Sequence, residues 1–281
     1  LPSHWFHPSH RGLGGGLIVA GAGLGILLSG FLVPRIPLRF TFASWQLIWL
    51  LFATLCAVFC IVAARVLHNR PSDIALLPYG RADPLKHRSP SRTATNGSDD
   101  WPFLIQLGTI YALFGATALT YSTFIVTTML NDRGLPAATA ALLWSVIGVL
   151  SVFSGGLFGK LSDHFGRRAG ILVALSAQAI AYLLVATDSG MGGMYVSIFL
   201  FGVSVFSMPT IVAAATADRL GAEAMGSAFA ILTVILAVGQ VVGPAGAGFL
   251  ADWSGSFTFS FATACALNSI GVVLCFFLKL R

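Results

Sequence analysis

Long uncharged apolar runs constrain this chain more than any other feature. Eight stretches of about 20 residues recur, approximately Leu13–Val33, Trp45–Val66, Phe103–Leu130, Ala137–Phe158, Ala169–Ala186, Met194–Ala214, Gly226–Leu250 and Phe257–Leu278. At 1.5 Å rise per residue, a helix of about 20 apolar residues crosses the hydrocarbon core of a bilayer. The interiors of these runs hold no Asp, Glu, Lys or Arg. Buried helices of a water-soluble protein are usually shorter, and eight in succession would leave too little polar surface to face water. The composition makes the same point: 56% of the 281 residues are hydrophobic and 9% are charged, against roughly a quarter charged in a soluble domain. In lipid every backbone N–H and C=O needs a partner within the protein, which a helix supplies internally. The expected fold is an all-α, multi-pass transmembrane helix bundle.

The basic residues give the orientation. With the N-terminus on the cytoplasmic side, the inside segments hold Arg11, Arg65, Arg70, Arg81, Lys86, Arg88, Arg92, Lys160, Arg167, Arg168, Arg219, Lys279 and Arg281. The outside loops then hold only Arg35, Arg39 and Arg133. Positive charge is retained on the cytoplasmic face, so both termini are expected there, in a cell (plasma or inner) membrane. The net charge of +6 is therefore spread over loops rather than gathered in one basic stripe, and nucleic acid is not an expected partner. The lipid bilayer is.

Residues 67–100 carry Pro71, Pro78, Pro84 and Pro90 among Ser, Thr, Arg and Asp. Such a segment cannot bury enough apolar surface to fold alone and reads as a cytoplasmic linker. It divides the chain into residues 1–66, with two spans, and residues 101–281, with six. Cys56, Cys60, Cys265 and Cys275 lie in apolar runs and read as small hydrophobes. His4, His7 and His10 are flanked by Pro2 and Pro8, which oppose a helix that could align them. No metal site and no cofactor is expected. The chain opens Leu1-Pro2-Ser3 without Met and without a signal-peptide pattern, which suggests upstream sequence.

An internal repeat points the same way. Gly21-x3-Gly25-x4-Gly30-Phe31-Leu32 in the first span matches Gly239-x3-Gly243-x4-Gly248-Phe249-Leu250 in the seventh, and Phe40-Thr41-Phe42 matches Phe257-Thr258-Phe259. If helix pairs are related in this way, spans one and two end a first half whose six-span counterpart follows the linker. Four helices of that first half would then be absent. Small residues at this spacing let helix backbones approach closely, so Gly21, Gly25, Gly30, Gly239, Gly243 and Gly248 are candidate packing positions, with Pro244 beside them.

Between spans four and five lies Gly159-Lys160-Leu161-Ser162-Asp163-His164-Phe165-Gly166-Arg167-Arg168. This resembles the G-x-L-x-D-R/K-x-G-R/K-R/K signature of the major facilitator superfamily (MFS), with His164 where that family prefers Arg or Lys. The Gly-rich first span and the run Tyr111-Ala112-Leu113-Phe114-Gly115 also resemble the YbfB/YjiJ-type bacterial branch. The resemblance covers the chain as helices five to twelve of twelve. It implies a permease that moves a small solute by alternating access, and no enzyme. Asp163, Arg167 and Arg168, with Gly159 and Gly166 permitting a tight turn, are candidates for a breakable latch between the halves, near Arg11 and Gly12. The other reading of the two arginines is that they only keep the loop inside; it leaves Asp163 without a role, since acids count little for orientation.

Solute would bind near the bilayer midplane. Candidates at that depth are Tyr111, Tyr121, Trp144, Ser204, Ser207 and Gln240. Serines in spans often bond their own backbone, and Tyr or Trp often only pack. Gln240 stands out, because an amide in lipid seeks polar partners and Gly243-Pro244 should loosen the helix beside it. No carboxylate lies within a span, so a coupling ion, if one is used, would be handled elsewhere. A membrane-embedded enzyme or a non-transporting scaffold are the rival classes; the first lacks a nucleophile–base cluster here, and the second needs neither repeat nor latch loop.

Overall fold

The computed structural model describes residues 5, 11–35, 44–68, 71–76 and 101–278. Among these residues the chain is helical, in eight helices. They are α1 (Arg11–Leu32), α2 (Ser44–Val66), α3 (Trp101–Thr127), α4 (Ala137–Phe165), α5 (Arg167–Ala186), α6 (Gly190–Ser204), α7 (Ser207–Ser254) and α8 (Thr258–Phe276). Seven helical segments are long and apolar enough to cross a membrane, and the described apolar part of α1, Val19–Arg35, is shorter. His4, His7, His10, the Phe40-Thr41-Phe42 match and most of the 67–100 linker lie outside the described residues.

Two of the spans expected from hydropathy are built differently from two simple rods. One membrane-length segment, Gly190–Gly221, consists of α6 and the first arm of α7, broken at Val205–Phe206. The next, Ala224–Ser254, is the second arm of α7. The two arms of α7 meet at Gly221, whose φ of 77° and ψ of 174° no other residue type holds without strain. The loosening expected at Gly243-Pro244 does not interrupt the helix: Pro244 sits inside the second arm, and Gly221 is the one non-helical position within α7. α3 ends in a π-helical turn, Thr128–Asp132, that carries it past the expected end of its span.

Packing follows the small residues. α1 lies along α4, α3 along the second arm of α7, and α5 along α8, while α6 fills the space against α4 and α5. At the α3–α7 crossing, Gly239 and Gly243 stand against the backbone of Ala112 and Ala116. A Cβ on Gly239 would come within 2.9 Å of the Ala112 carbonyl carbon. At the α1–α4 crossing the close approach falls to Gly23 and Gly30: a Cβ on Gly23 would lie 2.7 Å from Ser151 Oγ, and one on Gly30 2.9 Å from the Ala141 carbonyl oxygen. Gly21 and Gly25 face open space, and Gly248 meets only the Phe124 ring at an ordinary 3.7 Å. Gly23 and Gly30 are seven residues apart and share one helix face, whereas Gly21 and Gly25 share another. With only dispersion and hydrogen bonds to hold helices together in lipid, backbone contact at these crossings is what the missing side chains make available.

The bundle interior is aromatic. Tyr121 stacks on Phe201 with centroids 3.9 Å apart and meets Phe261 edge-on at 5.7 Å, with Tyr182 at 5.6 Å. Outward-facing positions are large and apolar instead; Val241, Phe249 and Trp253 are all more than two-thirds exposed. A surface of that kind suits acyl chains rather than water. α2 has no buried residue among those described, so it is not part of the core.

Candidate solute path and charged loop

The loop carrying the charged motif closes a three-helix junction. α4 runs through Gly159 to Phe165, so Gly159 is helical and buried rather than part of the turn; a Cβ there would meet Thr210 of α7 at 3.5 Å. The turn itself is made at Gly166, with φ 92° and ψ 152°, a conformation that favours glycine. α5 starts immediately after it, at Arg167. Its guanidinium donates to the Asp163 carboxylate one turn back, to Ser162 Oγ at 2.8 Å, and to Asp218 Oδ2 at 2.8 Å. Asp218 belongs to the first arm of α7, so a single side chain ties α4, α5 and that arm together. Arg168 instead donates to the Phe276 carbonyl at the end of α8 and lies over the Phe276 ring at 5.7 Å. Cation and exposed carbonyls at a helix C-terminus are an attractive pair. The side chain of Arg11 lies outside the described residues; among those described, the carboxylate of Asp163 is paired with Arg167.

The opposite end of the bundle is tied in a related manner. Asp132, in the π-helical turn, accepts from the Phe257 N–H at 3.0 Å and from Ser256 Oγ at 3.2 Å, just ahead of α8. An anion there satisfies otherwise unpaired amides and faces the positive end of the helix. Its neighbour Arg133 pairs with Asp188 and donates to the Val185 carbonyl at 2.7 Å, holding the α5–α6 connection.

Of the six residues proposed from sequence for the solute path, the structure places one in an open crevice. Gln240 is half-buried and lines a cavity of about 120 Å³ with Phe114, Ser122, Val205, Phe206 and Pro209. Among the described residues its amide has no hydrogen-bond partner, in contrast to the buried Gln178. Ser204 and Ser207 lie beside this crevice, but their hydroxyls bond the carbonyls of Leu200 (2.6 Å) and Ser204 (2.5 Å). Tyr111 is buried against Phe114, and Tyr121 shares a hydrogen bond with Ser197 Oγ at 2.9 Å inside the aromatic core. Trp144 turns toward α1 and donates to Ser29 Oγ at 3.0 Å. A second crevice of about 180 Å³ lies between α3, α7 and α8. Two of its hydroxyls, Thr117 and Ser260, are already bonded to the carbonyls of Leu113 and Ala247; Thr120 and Thr263 also line it.

Sequence reasoning passed over four contributors. Asp218 falls just beyond the expected end of the sixth span. Ser122 and Phe206 have no distinguishing pattern. Pro209 was visible: a proline in an apolar run removes a helical N–H and marks a break upstream of it. No group of three or more metal-ligating side chains is present among the described residues.

Known proteins give this geometry a family. A family model described as "Uncharacterised MFS-type transporter YbfB" matches residues 4–280. The hexuronate transporter of Bacillus subtilis is 22% identical over 94% of this chain and 64% of its own length. A putative tartrate transporter of Agrobacterium vitis is 26% identical over 97% of this chain and 63% of its own. The class H tetracycline resistance protein of Pasteurella multocida is 27% identical over 49% of this chain and 35% of its own. The chain thus spans between about a third and two-thirds of the length of these relatives. A solved bacterial homologue of the human lysosomal transporter Spinster aligns with 99% of this chain and 70% of its own, at 16% identity and a TM-score of 0.48. With an all-helical, membrane-length bundle, the charged loop between α4 and α5 and a family match over almost its whole length, this chain belongs to the YbfB-type family of MFS transporters.

Proposed function

We propose that the chain is the helix-five-to-twelve portion of a secondary carrier that moves a small solute across the cell membrane by alternating access. In this reading residues 1–66 end the first half, residues 67–100 form a cytoplasmic linker, and residues 101–281 are the second half. Both termini and the Gly159–Arg168 loop face the cytoplasm. The observation that carries the proposal is the unpartnered Gln240 amide facing a crevice beside a broken helix, within a transporter-family bundle. Polar groups left open at membrane depth, next to discontinuous helices, are where carriers of this kind bind solute.

The glycines fit a first half with further helices. Gly239 and Gly243 receive the backbone of α3, and their counterparts in the repeat, Gly21 and Gly25, meet nothing. A helix upstream of residue 1 would seat there as α3 seats on α7. The names of the relatives cover a hexuronate, a tartrate and tetracycline, so no single solute carries over. Asp163, Arg167 and Arg168 were expected to latch the two halves; in this reading the contact that opens lies within residues 101–281. Parting the first arm of α7 from α5 breaks the Arg167–Asp218 pair while the Asp163 pair keeps α5 on α4, which biases one access state over the other.

The test is uptake by the complete gene product in sealed vesicles, across a panel of neutral and acidic solutes. At least one should accumulate or equilibrate faster than in empty vesicles, and Gln240→Leu should raise its KM. Uptake indistinguishable from empty vesicles across the panel refutes the carrier reading.

A further inference from the structure

The break at Val205–Phe206 leaves backbone groups that a continuous helix would pair internally. In this bundle side chains from two other helices take them up. The Phe206 N–H donates to Ser154 Oγ of α4 at 3.2 Å. The Ser204 carbonyl accepts from Gln178 Nε2 of α5 at 3.2 Å and from Ser207 Oγ at 2.5 Å. Gln178 is fully buried, and its Oε1 in turn accepts from Tyr182 OH at 3.2 Å. Ser154 is equally buried and donates to the Ser151 carbonyl at 3.0 Å. Three residues on from the break, Pro209 lacks the N–H that would have bonded the Val205 carbonyl, so the irregular turn cannot anneal into a regular helix.

We propose that Gln178, assisted by Ser154, is a positioning residue for the solute path, holding the broken turn so that Val205, Phe206 and Pro209 face Gln240 across the crevice. Three points of the structure carry this. An amide with no water access would be a liability in lipid unless its partners were fixed, and Gln178 has both its donor and acceptor engaged. Its donor goes to the broken turn and to no other element. That turn supplies three of the residues facing Gln240. The clamp also lies between two arms with different attachments: α6 is packed on α4 and α5, while the first arm of α7 carries Asp218 to Arg167. Gln178 therefore acts on the geometry of the path from outside it, and touches no solute itself.

The path's role rests on the carrier reading above, so the test has two independent arms. In Gln178→Met, which keeps volume and removes the amide, hydrogen exchange at the amides of residues 204–210 should quicken about five- to tenfold, the effect of losing one hydrogen bond. Exchange in α3 and α8 should stay as in the parent chain. Ser154→Ala, a smaller change, should quicken the Phe206 amide in the same way. Unchanged exchange at 204–210 in both variants, or a rise spread evenly through α3, α5 and α8, overturns the positioning role in favour of general packing. In the complete carrier, Gln178→Met should raise KM several-fold with membrane abundance unchanged; a KM equal to the parent's also overturns it. Absence of uptake by the parent protein counts against the carrier reading instead, and the exchange arm still judges the clamp.

Discussion

Arg167 offers the sharpest perturbation, because one guanidinium serves three helical elements. Replace it with Gln. The side chain is 21% exposed, and its partners Asp163 and Asp218 are 58% and 59% exposed. Ion pairs with carboxylates that wet contribute roughly 0.2–1 kcal/mol each. The Asp163 pair and the Ser162 contact join α5 to α4, so the Asp218 pair alone holds the first arm of α7, by roughly 0.2–1 kcal/mol. At about 1.4 kcal/mol per decade, loss of that pair shifts the closed-to-parted ratio by up to roughly fivefold. Thr210 lies where the arm meets α4, 3.5 Å from the position of a Cβ on Gly159. A Thr210→Cys reporter, in a chain whose four native cysteines are replaced, should be alkylated by a maleimide up to roughly fivefold faster once Arg167 is Gln. High salt should speed labelling of the Arg167-containing chain toward the same value, since exposed pairs are screened. Adding Asp218→Asn to Arg167→Gln should change little more, because the pair is already gone. Labelling at the parent's rate in both Arg167→Gln and Asp218→Asn would refute the latch, and leave the two arginines with the single task of keeping the loop on one face.

Other substitutions test the packing and the caps. Gly239→Leu forces a side chain into the Ala112 carbonyl and should lower detergent-solubilised stability by about 1–3 kcal/mol, read as a fall in unfolding temperature. Gly25→Ala in the same chain meets open space and should leave that temperature unchanged. Tyr121→Phe removes the bond to Ser197 but keeps the stack on Phe201, so a loss of about 1 kcal/mol is expected in the same melt. Asp132→Ala uncovers the Phe257 amide ahead of α8 and should cost about 1 kcal/mol, with faster hydrogen exchange confined to residues 256–260.

The helices were legible because hydropathy and the bilayer's intolerance of unpaired backbone act on each segment separately. What depended on one helix meeting another was not. Spacing alone could not say which face of α1 would meet α4, so Gly21 and Gly25 were singled out while Gly23, on the face that makes the contact, was passed over. The break at Val205–Phe206 is stable only because Ser154 and Gln178, 52 and 26 residues away from their partners, satisfy it. A reading along the chain sees Pro209 but not those two. The charged loop was legible as a motif, yet its third member, Asp218, sits 51 residues from Arg167 and just past the apolar run that drew attention. Gln240 was singled out because an amide in lipid seeks polar partners and Gly243-Pro244 should loosen the helix beside it; the helix runs on through Pro244, and the amide lines the crevice. Tyr121 looked equally polar in sequence; burial among Phe201, Phe261 and Tyr182 makes it core.

The central claim is that these helices cross a bilayer, with the charged loop between α4 and α5 on one side and the Asp132–Ser256 contact on the other. Single cysteines at His164 and at Ser256, in the chain inserted into sealed vesicles of known sidedness, test it with a membrane-impermeant maleimide. The account predicts that each site is labelled from one side only, His164 from the cytoplasmic face and Ser256 from the opposite one. Labelling of both from the same side, or release of the chain from the vesicles by an alkaline wash, would contradict it.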